Sequence, residues 1–113
     1  MQINDYQDIA LSTLTDHHEF GDLSPQLIDQ VFGLTGEAGE VAEKFKKIIR
    51  DKQGRISEED KQEIMKELGD VLWYVTTVSH LIGLSLEEVA KMNNEKLLSR
   101  KSRDQIAGSG DNR

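Results

Sequence analysis

Apolar residues recur at the three-to-four-residue spacing of an α-helix along four segments of the chain. The predicted helices run from Asn4 or Asp5 to about Leu14, from Ser24 to about Arg50, from Ser57 to about Ile82 and from Ser85 to about Arg103. Residues 15–23 between the first two helices are predicted to form a loop. We therefore expect an all-α protein with a four-helix, bundle-like fold, in which residues 1–103 form one domain and residues 104–113 a flexible tail.

The predicted helix starts carry recognisable capping residues. Ser24 precedes Pro25, as an N-cap precedes a proline at the first helical position. Ser57 and Ser85 each stand three residues before an acidic residue, which is the pattern of a capping box. Gly83 is suited to end the third helix.

Helices 2 and 3 resemble each other at a constant offset of the sequence. Glu37-Ala38-Gly39-Glu40-Val41 matches Glu67-Leu68-Gly69-Asp70-Val71, and the same offset aligns further apolar positions. The repeat predicts two similar helices packed side by side.

Composition and charge narrow the possible partners. The 113 residues carry a net charge of -7, which disfavours binding to nucleic-acid polymers, because phosphate backbones are held by basic surfaces. No apolar run approaches the roughly 20 residues that cross a bilayer, and the N-terminus lacks the pattern of a signal peptide. Since cysteine is also absent, we expect a cytoplasmic protein without disulfides or a membrane anchor.

Two pairs of acidic residues are the strongest chemical signal. Glu37 and Glu40, like Glu67 and Asp70, are three residues apart and therefore share one side of their helix. Each pair flanks the apolar stripe of its helix, so packing the two helices together brings four carboxylates to one cleft. Such a cluster needs a divalent cation to offset its repulsion, and ligands that are all oxygen favour magnesium, manganese or calcium. The alternative is an ordinary solvated helix face.

The chain resembles the MazG-type family of all-α nucleoside triphosphate pyrophosphohydrolases. The resemblance rests on the Glu-x-x-Glu and Glu-x-x-Asp pairs, on their flanking residues, and on Asn93-Asn94-Glu95-Lys96-Leu97 followed by Arg100. The opening Tyr6-Gln7 and the closing Gly108-Ser109-Gly110-Asp111-Asn112-Arg113 also resemble short members of the family.

The resemblance implies a magnesium-dependent enzyme that converts a (d)NTP and water to (d)NMP and pyrophosphate, with a role in cleaning the nucleotide pool. Magnesium, which manganese is expected to replace, would be held by Glu37, Glu40, Glu67 and Asp70. Asn93, Lys96 and Arg100 share one face of helix 4, where the resemblance suggests contacts to phosphate. Members of such families usually form dimers or tetramers.

Other residues carry weaker expectations, each with an ordinary alternative. Lys47, on the same helical side as Glu40, is a candidate for phosphate binding, although lysines late in a helix are commonly solvated. Large apolar residues outside the main stripes favour a subunit interface over a wall against the base; these are Trp73, Ile28 and Phe32. Loop residues that are candidates for a base pocket are His17, His18 and Phe20, although loop histidines are usually just exposed to solvent.

Two rival functions remain open at this stage. One is hydrolysis of a different phosphoanhydride substrate by a related enzyme. The other is a non-catalytic helical module that binds a nucleotide or a protein partner.

Overall fold

The computed structural model describes residues 1–15 and 19–113 and contains four α-helices in those ranges, with no strand among them. The helices are α1 (Ile3–Ser12), α2 (Pro25–Lys52), α3 (Glu58–Leu81) and α4 (Leu86–Ser102). The all-α class and the four helices are confirmed. Each observed end lies one or two residues from the predicted one.

Side-chain caps start the three longer helices, as the sequence predicts. The Ser24 hydroxyl accepts a hydrogen bond of 3.1 Å from the backbone of Leu27 at the start of α2. Ser57 and Asp60 exchange hydrogen bonds with each other's backbone at the start of α3. Ser85 and Glu88 do the same for α4. Each cap contributes about 1 kcal/mol.

Left-handed backbone conformations end α2 and α3. Gln53 and Gly54 have φ angles of 55° and 77°, and the Gly54 amide donates to the Ile48 carbonyl at 3.1 Å. Gly83 follows α3 with a φ of 83°, a conformation that glycine adopts without steric cost. These two short turns fold α2, α3 and α4 back on one another.

The α2–α3 hairpin is the main packing unit of the chain, and α4 packs on α3. Among the described residues, the buried apolar side chains all belong to this hairpin and are Leu27, Ile48 and Ile64. Helix α1 stands apart: none of its Cα atoms comes within 8 Å of a Cα atom in the other described helices. Its apolar side chains, among them Ile3 and Ile9, are exposed.

The C-terminal segment 104–113 contains no helix or strand and turns back onto α4. Its own Arg113 holds the turn, because the guanidinium donates to the carbonyls of Gly110 at 2.6 Å and Ile106 at 2.9 Å. The flexibility of this segment and the domain limit at residue 103 stay predictions.

Candidate metal and nucleotide site

The register of the α2–α3 hairpin can be read from three cross-helix contacts. The Thr77 hydroxyl donates to the Gln30 side chain at 2.8 Å, and Lys44 Nζ lies 3.9 Å from a Glu63 oxygen. Between them, a Cβ atom at Gly33 would meet the ring of Tyr74. Residue numbers fall along α2 by as much as they rise along α3, so the helices are antiparallel.

The same register places Glu37 level with Asp70 and Glu40 level with Glu67. Carboxylate oxygens of Glu37, Glu67 and Asp70 lie within 4.8 Å of one another. We call these three residues the acid cluster. Glu37 and Glu67 are half-buried and Asp70 is exposed, so the cluster opens to solvent on one side.

Glu40, the fourth acidic residue of the predicted set, is exposed and lies outside the acid cluster. Its negative charge nevertheless reaches the cluster, because it contributes to the raised pKa of Glu37. Its role as a metal ligand therefore stays a prediction.

Burial and neighbouring negative charge both raise the pKa of Glu37. Burial is the largest cause that raises the pKa of its carboxyl above the usual 4.5, followed by the charges of Asp70 and Glu67. Each of these causes penalises the ionised form. A divalent cation between the three carboxylates would remove the penalty, so the arrangement fits a metal bound by oxygen ligands.

Lys44 partly offsets the charge of the acid cluster. Its Nζ lies 3.8 Å from a Glu67 oxygen and 3.9 Å from a Glu63 oxygen, and all three side chains are partly exposed. Glu63 was not among the site residues predicted from the sequence. It stands one helical turn before Glu67, and that spacing is the signal that places it on the same side of α3.

Lys47 lies farther along α2, toward the turn into α3. It lines a cleft of about 160 Å³ together with Lys52, Asp51 and Asp60. The ten residues that separate it from Glu37 span about 15 Å of helix. Its phosphate-binding role stays a prediction, because the cleft that it lines near the turn combines acidic side chains with Lys44 and Lys52.

The three predicted phosphate ligands on α4 lie beside the C-terminal segment, and two of them, Lys96 and Arg100, contact it. Asn93 and Lys96 line a cleft of about 540 Å³ that also includes Asp111 of that segment. Lys96 Nζ lies 3.3 Å from the Asp111 carboxylate. Arg100 is only 5% exposed, and its guanidinium donates to the Asp111 carbonyl at 2.6 Å and to the Gly110 carbonyl at 3.4 Å.

One donor of Arg100 is left without a partner. Within the described residues, its Nε atom is buried and forms no hydrogen bond. An unpaired buried donor of a charged group is costly. In this conformation, then, Arg100 binds the carbonyls of its own chain with part of its hydrogen-bonding capacity unused.

Of the remaining candidate residues, the structure describes the aromatic and apolar ones but not the two loop histidines. Trp73 is 56% exposed and lines a cleft of about 400 Å³ with Gln30 and Thr77. Phe20, also exposed, lies in a separate cleft with Ile28 and Phe32. His17 and His18 lie outside the described residues.

Within the described residues, no helix is long and apolar enough to cross a membrane.

Comparison with known proteins places the chain in a family. A family model described as the MazG nucleotide pyrophosphohydrolase domain matches residues 26–103, a range that includes the acid cluster. "Gene 37 protein" of Mycobacterium phage L5 is 52% identical over 81 residues, which are 72% of this chain and 71% of that protein. "Uncharacterized protein YvdC" of Bacillus subtilis (strain 168) is 38% identical over 72 residues, 59% of this chain and 68% of that protein. No solved structure matches the chain significantly. The match over residues 26–103 confirms the resemblance, and the chain belongs to the MazG nucleotide pyrophosphohydrolase family.

Proposed function

We propose that the protein is a magnesium-dependent pyrophosphohydrolase that converts a (d)NTP and water to (d)NMP and pyrophosphate. The observation that carries the proposal is the approach of Glu37, Glu67 and Asp70 within 4.8 Å, in a chain of the MazG family. A role in clearing unwanted nucleotides from the cellular pool is consistent with that reaction.

Magnesium is the proposed cofactor, and manganese the expected substitute. The acid cluster offers carboxylate oxygens, which both ions accept as ligands. Glu40, which lies level with Glu67 across the hairpin, is proposed as a further ligand. A bound ion would neutralise charge on the triphosphate and would lower the pKa of a coordinated water. The acidic side chains position the ion. Until the cation is bound, their negative charge repels anions from the site.

The basic and amide side chains are proposed to bind the triphosphate. Lys47 of α2 and Asn93, Lys96 and Arg100 of α4 are the candidates. Lys96 and Arg100 already hold oxygen atoms of the C-terminal segment, namely a carboxylate and two carbonyls. Phosphate oxygens are chemically similar acceptors, so the same donors suit a phosphate when they become available.

A homo-oligomer, dimeric or tetrameric, is part of this proposal. The extent of exposed apolar surface supports it, since side chains such as Phe32 and Ile49 are each 70% exposed.

The direct test is to incubate the protein with magnesium and a panel of NTPs and dNTPs, and to separate the products by ion exchange. We expect the nucleoside monophosphate and pyrophosphate in equal amounts. Release of inorganic phosphate and the diphosphate would contradict the proposed reaction, and binding of nucleotide without any hydrolysis would assign a non-catalytic module instead.

Isosteric variants test the site itself. Glu67→Gln and Asp70→Asn are expected to lower kcat/KM by more than about 100-fold, because even outer-shell partners of a metal are worth about 10- to 100-fold. Glu19→Gln, an exposed loop position, serves as the matched control and is expected to retain full activity. Unchanged activity of Asp70→Asn would remove the acid cluster from the reaction.

A further inference from the structure

The C-terminal segment, residues 104–113, lies against the same α4 side chains that are proposed to bind phosphate. Lys96 Nζ lies 3.3 Å from the Asp111 carboxylate, and a terminal nitrogen of Arg100 lies 3.6 Å from the same carboxylate. The Arg100 guanidinium also donates to the main-chain carbonyls of Asp111 and Gly110. The segment therefore offers three oxygen atoms to two cationic side chains, as a phosphate group would.

A tight turn holds the segment in this position. Gly108 and Gly110 have φ angles of 116° and 85°, which glycine adopts without steric cost. The guanidinium of Arg113 donates to the Gly110 carbonyl at 2.6 Å and to the Ile106 carbonyl at 2.9 Å. The Gly110 carbonyl thus accepts from Arg113 and from Arg100 at once. The turn therefore fixes, from within the segment, an acceptor that Arg100 binds.

The contact between the segment and α4 is nevertheless easily broken. Among the described residues, the buried Nε atom of Arg100 forms no hydrogen bond, which is costly for a charged group. The side chain of Asp111 is 85% exposed, so solvent screens its pairing with Lys96. All residues of the segment except Arg113 are exposed, Ile106 among them, so little apolar burial retains the segment.

A polyphosphate chain is the ligand whose chemistry fits an exchange with this segment. Its oxygen atoms carry negative charge, whereas two of the three acceptors that the segment offers are neutral carbonyls. Hydrogen bonds between two ionised groups are the stronger kind, and a guanidinium can donate to one phosphate through two nitrogen atoms. Such a pair could also use the Nε donor of Arg100. Departure of Asp111 would remove a carboxylate from beside the incoming anion.

We propose that residues 104–113 form an autoinhibitory strap, which occupies Lys96 and Arg100 in the unliganded protein and is displaced by the polyphosphate chain of the nucleotide. The inference rests on the proposed function, because it takes these two residues as phosphate ligands. The strap reduces the apparent affinity for nucleotide in proportion to the fraction of molecules in which it is released. A change that loosens the turn of the strap therefore strengthens binding without altering any side chain of α4.

Backbone ¹⁵N relaxation of the strap in the full chain tests the displacement directly. The probe is bis(methylene)triphosphonate, a tripolyphosphate analogue whose P–C–P bridges resist hydrolysis, added with magnesium. In the unliganded protein, the amides of Gly110 and Asp111 are expected to have the order parameter of ordered backbone, about 0.85, and at saturation a value below about 0.6. A strap that is already mobile without the probe would overturn the proposal, as would one that stays ordered at saturation or a probe that does not bind.

A pair of variants without charge changes tests the competition. Gly108→Ala strains the strap, because φ at this position is 116° and the new Cβ atom would lie 3.1 Å from Arg113 Cδ. Gly21→Ala is the matched control, a glycine of positive φ outside the strap with nothing within 4 Å of the new atom. In calorimetric titrations, Gly108→Ala is expected to bind the probe at least about 5-fold more tightly than the wild type, and Gly21→Ala equally. Equal affinities of the two variants would overturn the proposal.

Neither measurement depends on hydrolysis, so the strap and the proposed reaction can fail separately. A strap that is displaced in a protein without hydrolytic activity would keep the inference and remove the proposed reaction. An active enzyme in which the strap stays ordered when the probe binds would remove the inference alone.

Discussion

Gly33 of α2 lies directly against the ring of Tyr74 of α3, so closely that a methyl group at position 33 would collide with the ring. This contact is one helical turn from Glu37 on α2 and one turn from Asp70 on α3. The missing side chain at Gly33 thus sets the spacing of the two helices next to the acid cluster.

Gly33→Ala is therefore expected to destabilise the protein by about 1–2 kcal/mol, because overpacking costs about 1–3 kcal/mol and exceeds the helix-propensity gain of alanine. Gly36→Ala is the matched control, since a Cβ atom there meets nothing within 4 Å. The control is expected to be as stable as the wild type or up to about 1 kcal/mol more stable. Urea unfolding measures both, and equal effects would contradict the close contact.

Glu37→Gln tests the cost of crowding three carboxylates. The pKa of Glu37 in the folded protein is raised above 4.5. Glu37 therefore makes its full contribution to the stability of the folded state below pH 4.5, and this contribution is lost as the pH rises through the raised pKa. In EDTA at pH 7 the variant is therefore expected to melt at a higher temperature than the wild type. Glu19→Gln is again the control.

The same variant is expected to lose the metal response. Magnesium raises the Tm of the wild type if it binds the folded acid cluster, and this increase should be absent or strongly reduced in Glu37→Gln. A variant that is less stable than the wild type in EDTA would contradict the raised pKa, and one with an undiminished magnesium shift would exclude Glu37 as a ligand.

The hydrogen bonds of Asp60 are expected to make the stability of the α2–α3 hairpin depend on pH in the acid range. Its carboxylate accepts hydrogen bonds from Lys52 Nζ at 2.7 Å and from the Ser57 amide at 2.9 Å, and these lower its pKa from 3.8 to about 2. The stabilisation is complete above pH 3.8 and is lost as the pH falls toward 2. Asp60→Asn is expected to be less stable than the wild type at pH 7, with the difference vanishing near pH 2 in thermal melts.

Glu58→Gln provides the contrast for Asp60→Asn. Glu58 pairs with Lys61 at 2.7 Å, but the side chain of Glu58 is 86% exposed, so the pair is screened by solvent. Its removal is expected to change stability by less than about 0.5 kcal/mol at any pH. A pH-dependent loss as large as that of Asp60→Asn would mean that surface charge as a whole, rather than the Asp60 contacts, governs the acid response.

Arg100 is predicted to hold the C-terminal segment on α4. Arg100→Met keeps most of the buried aliphatic length but removes the donors to the Asp111 and Gly110 carbonyls, which is expected to cost about 1.5–3 kcal/mol. Amide hydrogen exchange of residues 104–113 should become faster, whereas the exposed Lys101→Met should leave it unchanged. Slow exchange in Arg100→Met would show that other contacts, such as those of Arg113, are sufficient.

The sequence predicted the helices and the acid pairs because both depend on local spacing, and the structure brings together three of the four predicted acidic residues, Glu37, Glu67 and Asp70, but not Glu40. Each serine cap, each glycine that ends a helix and each acid pair can be recognised within a few residues of the sequence. The contact of Gly33 with Tyr74 was not predictable, because it depends on which faces of two helices meet. The isolation of α1 and the burial of Arg100 under the C-terminal segment likewise depend on tertiary arrangement, which periodicity does not specify.

The ring of Tyr74 also meets Trp73 edge-on, with ring centroids 4.9 Å apart and planes at 87°. Since Trp73 is the only tryptophan of the chain, its indole emission comes from a single place, three residues beyond Asp70. Any shift of Tyr74 against Gly33 alters the surroundings of that indole. The protein thus contains an intrinsic optical probe, whose intensity and wavelength follow the separation of α2 and α3 beside the acid cluster without any added label.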